Sequence, residues 1–116
     1  MAHALAIFRF TQPLMQGPSS RHVAQQMFRA ATAVAANYRS ACLGRSRQEF
    51  VAKLGVVREE ADEVVFWLEF AQQSGLTAGP DAVGLLAEAR ELAAIMSAAY
   101  RTTRATTAPK KLSNSK

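Results

Sequence analysis

The chain of 116 residues carries one cysteine and two histidines. One cysteine, Cys42, excludes an internal disulfide framework and any zinc site of cysteine type. Neither His3 nor His22 lies in the Glu-x-x-His setting that di-iron bundles present inward from two helices. His22 also lacks a nucleophile or acid nearby in sequence with which to act as a general base. Glycine is too sparse to cradle phosphate: Gly44 stands alone and Gly79 precedes Pro80 at a helix start. No apolar run approaches the eighteen or more residues of a membrane span. The opening MAHALAIFRF has Arg9 inside its apolar run and no basic region before it, which argues against a secretory leader. An acid-free, arginine-bearing start also has the look of an organellar transit segment, but Arg29 onward belongs to a continuous helix and is not expected to be cleaved away. These absences leave no case for catalysis, a cofactor, a metal or a membrane, and a lone thiol suits a reducing, cytoplasmic setting.

What the sequence does have is apolar helix. Hydrophobic residues make up 49% of it, enough for a core in a single domain and too many for disorder. Residues 3–11 make a short first helix, stopped by Pro13. After the loop Gln16-Gly17-Pro18, Ser19 or Ser20 is expected to cap a second helix reaching about Leu43. Its apolar face is Val23, Met27, Ala30, Val34, Tyr38 and Ala41, with Cys42 as a small buried side chain near its edge. Alanines at 30, 31, 33, 35 and 36 allow close helix approach. Among them Asn37, unfavourable in mid-helix, is expected to find a hydrogen bond on a neighbouring helix.

The corner Gly44-Arg45-Ser46 opens a third helix, about Arg47 to Gln73, through the capping box Ser46–Glu49. Phe50, Leu54, Val57, Ala61, Val64, Val65 and Leu68 form its stripe, within a face roughly 100° wide. Trp67 and Phe70 fall outside that stripe. Clustered surface aromatics mark an interface; with so short a first helix to cover them, a second subunit is the expected partner. Gly75 ends this helix, and Pro80 starts a fourth whose face is Leu86, Ala89, Ala93, Met96 and Tyr100, widened by Leu85, Leu92 and Ile95. The pattern decays from Thr102. The expected division is therefore an all-α domain over residues 1–104 and a basic, disordered tail over 105–116.

Charge is segregated along the chain. Residues 1–48 carry +6 and no acid, residues 49–91 carry −6 with every acid of the chain, and residues 92–116 carry +5. Arg21 and Arg39, eighteen residues apart, share an azimuth on the second helix opposite its apolar face. With Arg29, Arg45 and Arg47 they form a candidate phosphate-binding set for RNA or DNA. The competing expectation is charge complementarity between subunits, the positive second helix against the negative third, and the residues alone leave both open. The acids at Glu59, Glu60, Asp62 and Glu63 read as a solvated or inter-subunit face.

Arg29-Ala30-Ala31, Ala33 to Arg39, Ser46-Arg47-Gln48-Glu49-Phe50, Glu59 to Glu63 and Phe66-Trp67-Leu68 follow one another in an informative order and spacing. On these, residues 22–100 resemble the four-helix-bundle family that includes proteins encoded in intervening sequences of bacterial 23S ribosomal RNA genes. The resemblance implies an up-down four-helix bundle assembled as a homopentamer. It extends to the accessory protein of diversity-generating retroelements, which implies nucleic acid and a reverse transcriptase as partners. Ala33, Ala35 and Ser40 stand where the family usually has serine, often glycine, and glutamate, and the first helix is abbreviated. The resemblance marks Arg29 as a structural residue. The expected function is that of a non-enzymatic oligomer that binds RNA or DNA, or alternatively of a protein-binding scaffold docking through Trp67 and Phe70.

Overall fold

The computed structural model describes residues 1–77 and 79–107. Its elements are α1 (Ala2–Thr11), a 3-10 turn (Gln12–Gln16), α2 (Pro18–Cys42), α3 (Arg47–Gln73) and α4 (Pro80–Thr107). No strand occurs among the described residues. The helices run up and down as a four-helix bundle. α3 lies between α2 and α4, and α1 packs against α2 and α4 on the opposite side.

Local chemistry sets the helix ends. The Ser46 hydroxyl accepts from the Glu49 amide at 3.1 Å, and the Glu49 carboxylate accepts from the Arg45 amide at 2.7 Å. The reciprocal arm of the capping box thus reaches one residue further back than the Ser46 amide, tightening the corner. α2 begins earlier than its serines suggest: Gly17 is the N-cap and Pro18 occupies the first turn. Proline lacks the amide that a cap would satisfy and its φ is already helical, so neither Ser19 nor Ser20 caps, and the Ser20 hydroxyl instead donates to the Gly17 carbonyl at 3.3 Å. α3 ends at Ser74, followed by Gly75 at φ +81°. The Leu76 amide donates to the Ala71 carbonyl at 3.0 Å and the Gly75 amide to the Gln72 carbonyl at 3.1 Å, a Schellman closure whose left-handed residue favours glycine. Leu76 packs on the core, as that motif requires. α4 continues through Thr107, past the point where its apolar pattern decays. The tail was expected from 105: residues 105–107 belong instead to α4, and residues 108–116 lie outside the described residues.

The core draws on every helix: Ile7 from α1, Met27 and Ala30 from α2, Val64 and Leu68 from α3, Leu86 and Ala89 from α4. The predicted α3 stripe is buried at Leu54, Val57, Ala61, Val64 and Leu68, and Ala71 extends it. Thr11 is the one buried polar side chain among the described residues, and its hydroxyl donates to the Phe8 carbonyl at 2.8 Å.

α1 has ten residues against 25 to 28 in the others. At about 1.5 Å per residue it spans roughly 15 Å of a bundle about 40 Å long. Past the first turn of α1 the side between α2 and α4 is open. A cleft of about 410 Å³ begins there, lined by residues that include Val34, Ala35, Tyr38, Leu92 and Met96. Three expectations fail for this reason. Tyr38 is 44% exposed although it continues the apolar face of α2. Cys42, at the last turn of α2, is exposed rather than buried. Asn37 is half-buried at the margin of this end and, among the described residues, makes no hydrogen bond to a neighbouring helix. Next to Cys42, the Tyr38 phenol is raised above its ordinary pKa, chiefly by hydrogen bonding to the Cys42 side chain.

One ion-pair group crosses the main helix interface. Arg29 on α2 reaches Glu60 at 3.4 Å and hydrogen-bonds Glu63 on α3. The Trp67 indole donates to the same Glu63 carboxylate at 3.3 Å. The Arg29 hydrogen bond holds the Glu63 carboxyl below the usual carboxylate range, against a smaller opposing effect of burial.

Three measurements check these assignments. In urea unfolding, Leu68→Ala should lose about 2–5 kcal/mol, because Leu68 is fully enclosed. Ser46→Ala should lose about 1 kcal/mol through its cap. A depressed carboxyl contributes stability that is complete above its unfolded pKa and lost as pH falls through its folded one. The native chain should therefore lose stability below about pH 4.5, and Glu63→Gln should flatten that loss. At neutral pH the same change should cost about 1 kcal/mol or less, since both partners are partly solvated.

Candidate nucleic-acid interface

The five arginines singled out from the sequence do not form one patch. Arg21 is exposed in the first turns of α2, and its Nε–H donates to the Met15 carbonyl at 3.1 Å, tying α2 to the preceding turn. Arg39 points to solvent about 27 Å further along the same helix. Arg29, between them in sequence, is taken up by Glu60 and Glu63 of its own chain. Its azimuth also differs by about 80° from that shared by Arg21 and Arg39. Arg39 then joins Arg45 at the α2–α3 corner and Arg47 in the first turn of α3. Arg47 Nη2 donates to the Thr106 hydroxyl of α4 at 3.1 Å. Among the described residues none of Arg39, Arg45 and Arg47 makes an ion pair; the pairs formed are Arg29 with Glu60 and Glu63, Arg90 with Glu69, and His3 with Glu88.

Two further arginines lie between α3 and α4. Arg58 on α3 lies with its guanidinium carbon 4.9 Å from the centre of the Tyr100 ring, and Arg104 on α4 lies 5.9 Å from the same centre. Gly55 makes room for the ring: a Cβ there would stand 3.1 Å from Tyr100 Cε1. The sequence held two signals of this arrangement. A glycine interrupts the middle of an otherwise strong helix, and Tyr100 and Arg104 stand one turn apart on α4.

Aromatic side chains form a second feature at the other end. Phe66 is 52% and Phe70 44% exposed, with Trp67 half-buried between them against the core. Trp67 stacks edge-on with Phe66, Phe70 and the His22 ring at centroid distances of 4.9, 5.9 and 5.9 Å. These rings, with Pro18, Ser19 and Val23, line a shallow cleft of about 570 Å³ that is mostly apolar. α1 does not cover it, since α1 packs on α2 and α4. Phe66 joins the expected pair Trp67 and Phe70, and three aromatics within five residues are its signal in the sequence. Across α2, Phe28 stacks on Phe8 at 5.4 Å, and both are exposed beside Leu5. Nine residues separate Ser19 from Phe28, so the two aromatic surfaces lie on opposite flanks of α2.

The acidic run of α3 does not gather into a ligand set. Among the described residues no three of His, Cys, Asp and Glu come together in a way that would hold a metal ion, and no helix is long and apolar enough to cross a membrane.

Comparison with known proteins agrees with this architecture. A solved structure from Bacteroides thetaiotaomicron, described as a protein with unknown function from the S23 ribosomal protein family, superposes with a TM-score of 0.78. It is 22% identical in sequence, and the match covers 85% of this chain and 92% of that one, which shows a shared fold. No curated protein matches the sequence. The family model described as 23S rRNA-intervening sequence protein matches residues 1–98, four helices in the expected order, and the chain belongs to that family.

Proposed function

We propose that this protein is a non-enzymatic homo-oligomer that binds RNA or DNA through arginine side chains. The observation that carries this reading is the group Arg39, Arg45 and Arg47, gathered at one end of the bundle and free of carboxylate partners among the described residues. Guanidinium groups left without acids are suited to phosphate, whose oxygens match the planar fork. Arg21 is a subsidiary contact, and Arg29 serves the fold. Each subunit offers only a modest patch, and repetition of that patch in a ring raises the avidity.

Support for assembly comes from the two aromatic flanks. Surfaces of like chemistry on opposite sides of one subunit suit a head-to-tail contact, and such contacts close into a ring when the rotation allows. The number of subunits proposed is five, in keeping with the family resemblance, and the setting proposed is the cytoplasm. A nucleic-acid enzyme such as a reverse transcriptase is the proposed protein partner. A second reading, a scaffold that binds protein alone, is favoured by the Phe66–Trp67–Phe70 surface and assigns the arginines to assembly.

Fluorescence anisotropy of a labelled structured RNA at about 50 and about 200 mM salt separates the two. Six or more phosphate contacts across a ring predict a loss of roughly a thousandfold or more over that range. The combined change Arg39→Gln, Arg45→Gln, Arg47→Gln should abolish binding while light scattering reports an unchanged particle mass. A fall in mass with that variant, or no RNA binding by the native protein at the lower salt, would sink the nucleic-acid reading. Phe66→Gln with Phe70→Gln should instead lower the particle mass.

A further inference from the structure

We infer that Arg58, Arg104 and Tyr100 form a phosphate-binding clamp between α3 and α4, and that its ligand is the sugar–phosphate backbone of a nucleic acid. The inference rests on the nucleic-acid reading above and extends it to residues outside the α2 face. Two guanidinium groups lie against one phenol ring, at 4.9 and 5.9 Å from its centre. They are therefore no more than about 11 Å apart, within the reach of one phosphate or of neighbouring phosphates on a strand.

The electrostatics around this ring are unbalanced. Among the described residues neither Arg58 nor Arg104 makes an ion pair, and Asp62, one turn beyond Arg58 on α3, does not pair with it either. The ring quadrupole attracts each cation but does not neutralise it, so two like charges remain close together. The Nε of Arg58 is buried and, among the described residues, has no hydrogen-bond partner. A buried donor of a charged group without an acceptor is costly, and a phosphate oxygen reaching it would supply one. A carboxylate-bearing partner would satisfy the charge as well. Phosphate is favoured because Arg104 stands two residues before Thr106 on α4, the residue to which Arg47 donates, so the pair adjoins a cation of the reading above.

Gly55 gives the clamp its seat. The Tyr100 ring occupies the space a side chain there would take, and so holds the guanidinium groups over a fixed plane. Tyr100 positions the arginines and is not itself a phosphate ligand.

The test is anisotropy of a labelled oligouridylate with the full chain, at about 50 and about 200 mM salt. Arg58→Gln with Arg104→Gln should weaken binding about tenfold or more at the lower salt, the expected scale for lost charged hydrogen bonds. The slope of log affinity against log salt should become shallower by about 1.4, for two contacts on a single strand. The charge-matched control, Arg9→Gln with Arg90→Gln, should leave both quantities close to native. Should the double glutamine variant fold poorly by circular dichroism, Arg58→Lys with Arg104→Lys keeps the stems and charges while removing the forks. It should lie between native and glutamine forms. In a nitrogen–proton correlation spectrum, the native Arg58 Nε–H resonance should shift as oligouridylate is added. Native binding with unchanged affinity and slope in both clamp variants, or with an unmoved Arg58 resonance, would overturn the clamp and leave the wider reading standing. No binding by the native chain would overturn both.

Discussion

A helix of 27 residues with one continuous apolar stripe stays dry only if neighbours cover that stripe along its whole length. In this protein α2 and α4 do so from either side of α3, and the burial of Leu54, Val57, Val64 and Leu68 between them anchors the bundle. Full burial of each such side chain contributes about 1.5–3 kcal/mol. The turn chemistry at Ser46–Glu49 and at Gly75 places the flanking helices antiparallel. α1 answers a lesser demand, closing one end of the remaining side through Ile7. The open end between α2 and α4 follows directly from its ten residues.

That division of the bundle into a closed end and an open end also sorts the chemistry. The paired charges, Arg29 with Glu60 and Glu63, Arg90 with Glu69 and His3 with Glu88, lie from the middle of the bundle toward the end that α1 covers, where the aromatic flanks also lie. Toward the opposite end stand Arg39, Arg45, Arg47 and Arg104, with Arg58 near the middle of α3, none with an acidic partner among the described residues. Helix polarity contributes to this arrangement. The last turns of α2 and α4 meet there, and positive side chains near helix C-termini are favoured by the macrodipole. This favours Arg39 and Arg104, near the C-termini of α2 and α4, and not Arg47, in the first turn of α3.

Much of the fold was legible because periodicity and capping are local. The capping box, the α3 stripe and the glycine closure at Gly75 each require only neighbours within a turn or two. Where reading failed, the missing information was an element distant in sequence. Tyr38 and Cys42 lie where the α2 pattern predicts burial, yet α1, over Ala2–Thr11, does not extend across them. Ser19 and Ser20 looked like caps because hydroxyls usually cap; Pro18 started the helix before them.

The candidate site divides the same way. Composition and spacing alone determined that the chain is helical and that it has a basic second helix and an acidic third. Which arginines are free was decided only by tertiary structure. Arg29 looks like Arg21 or Arg39 on a linear charge map, but the packing of α2 on α3 brings two carboxylates to it. Arg58 lies in the acidic segment and Arg104 near the chain's end, and the contact between α3 and α4 sets both against Tyr100. The physical reason is range: helix signals act over a few residues, whereas the field at a guanidinium depends on every charge within several ångströms, whatever its place in the chain.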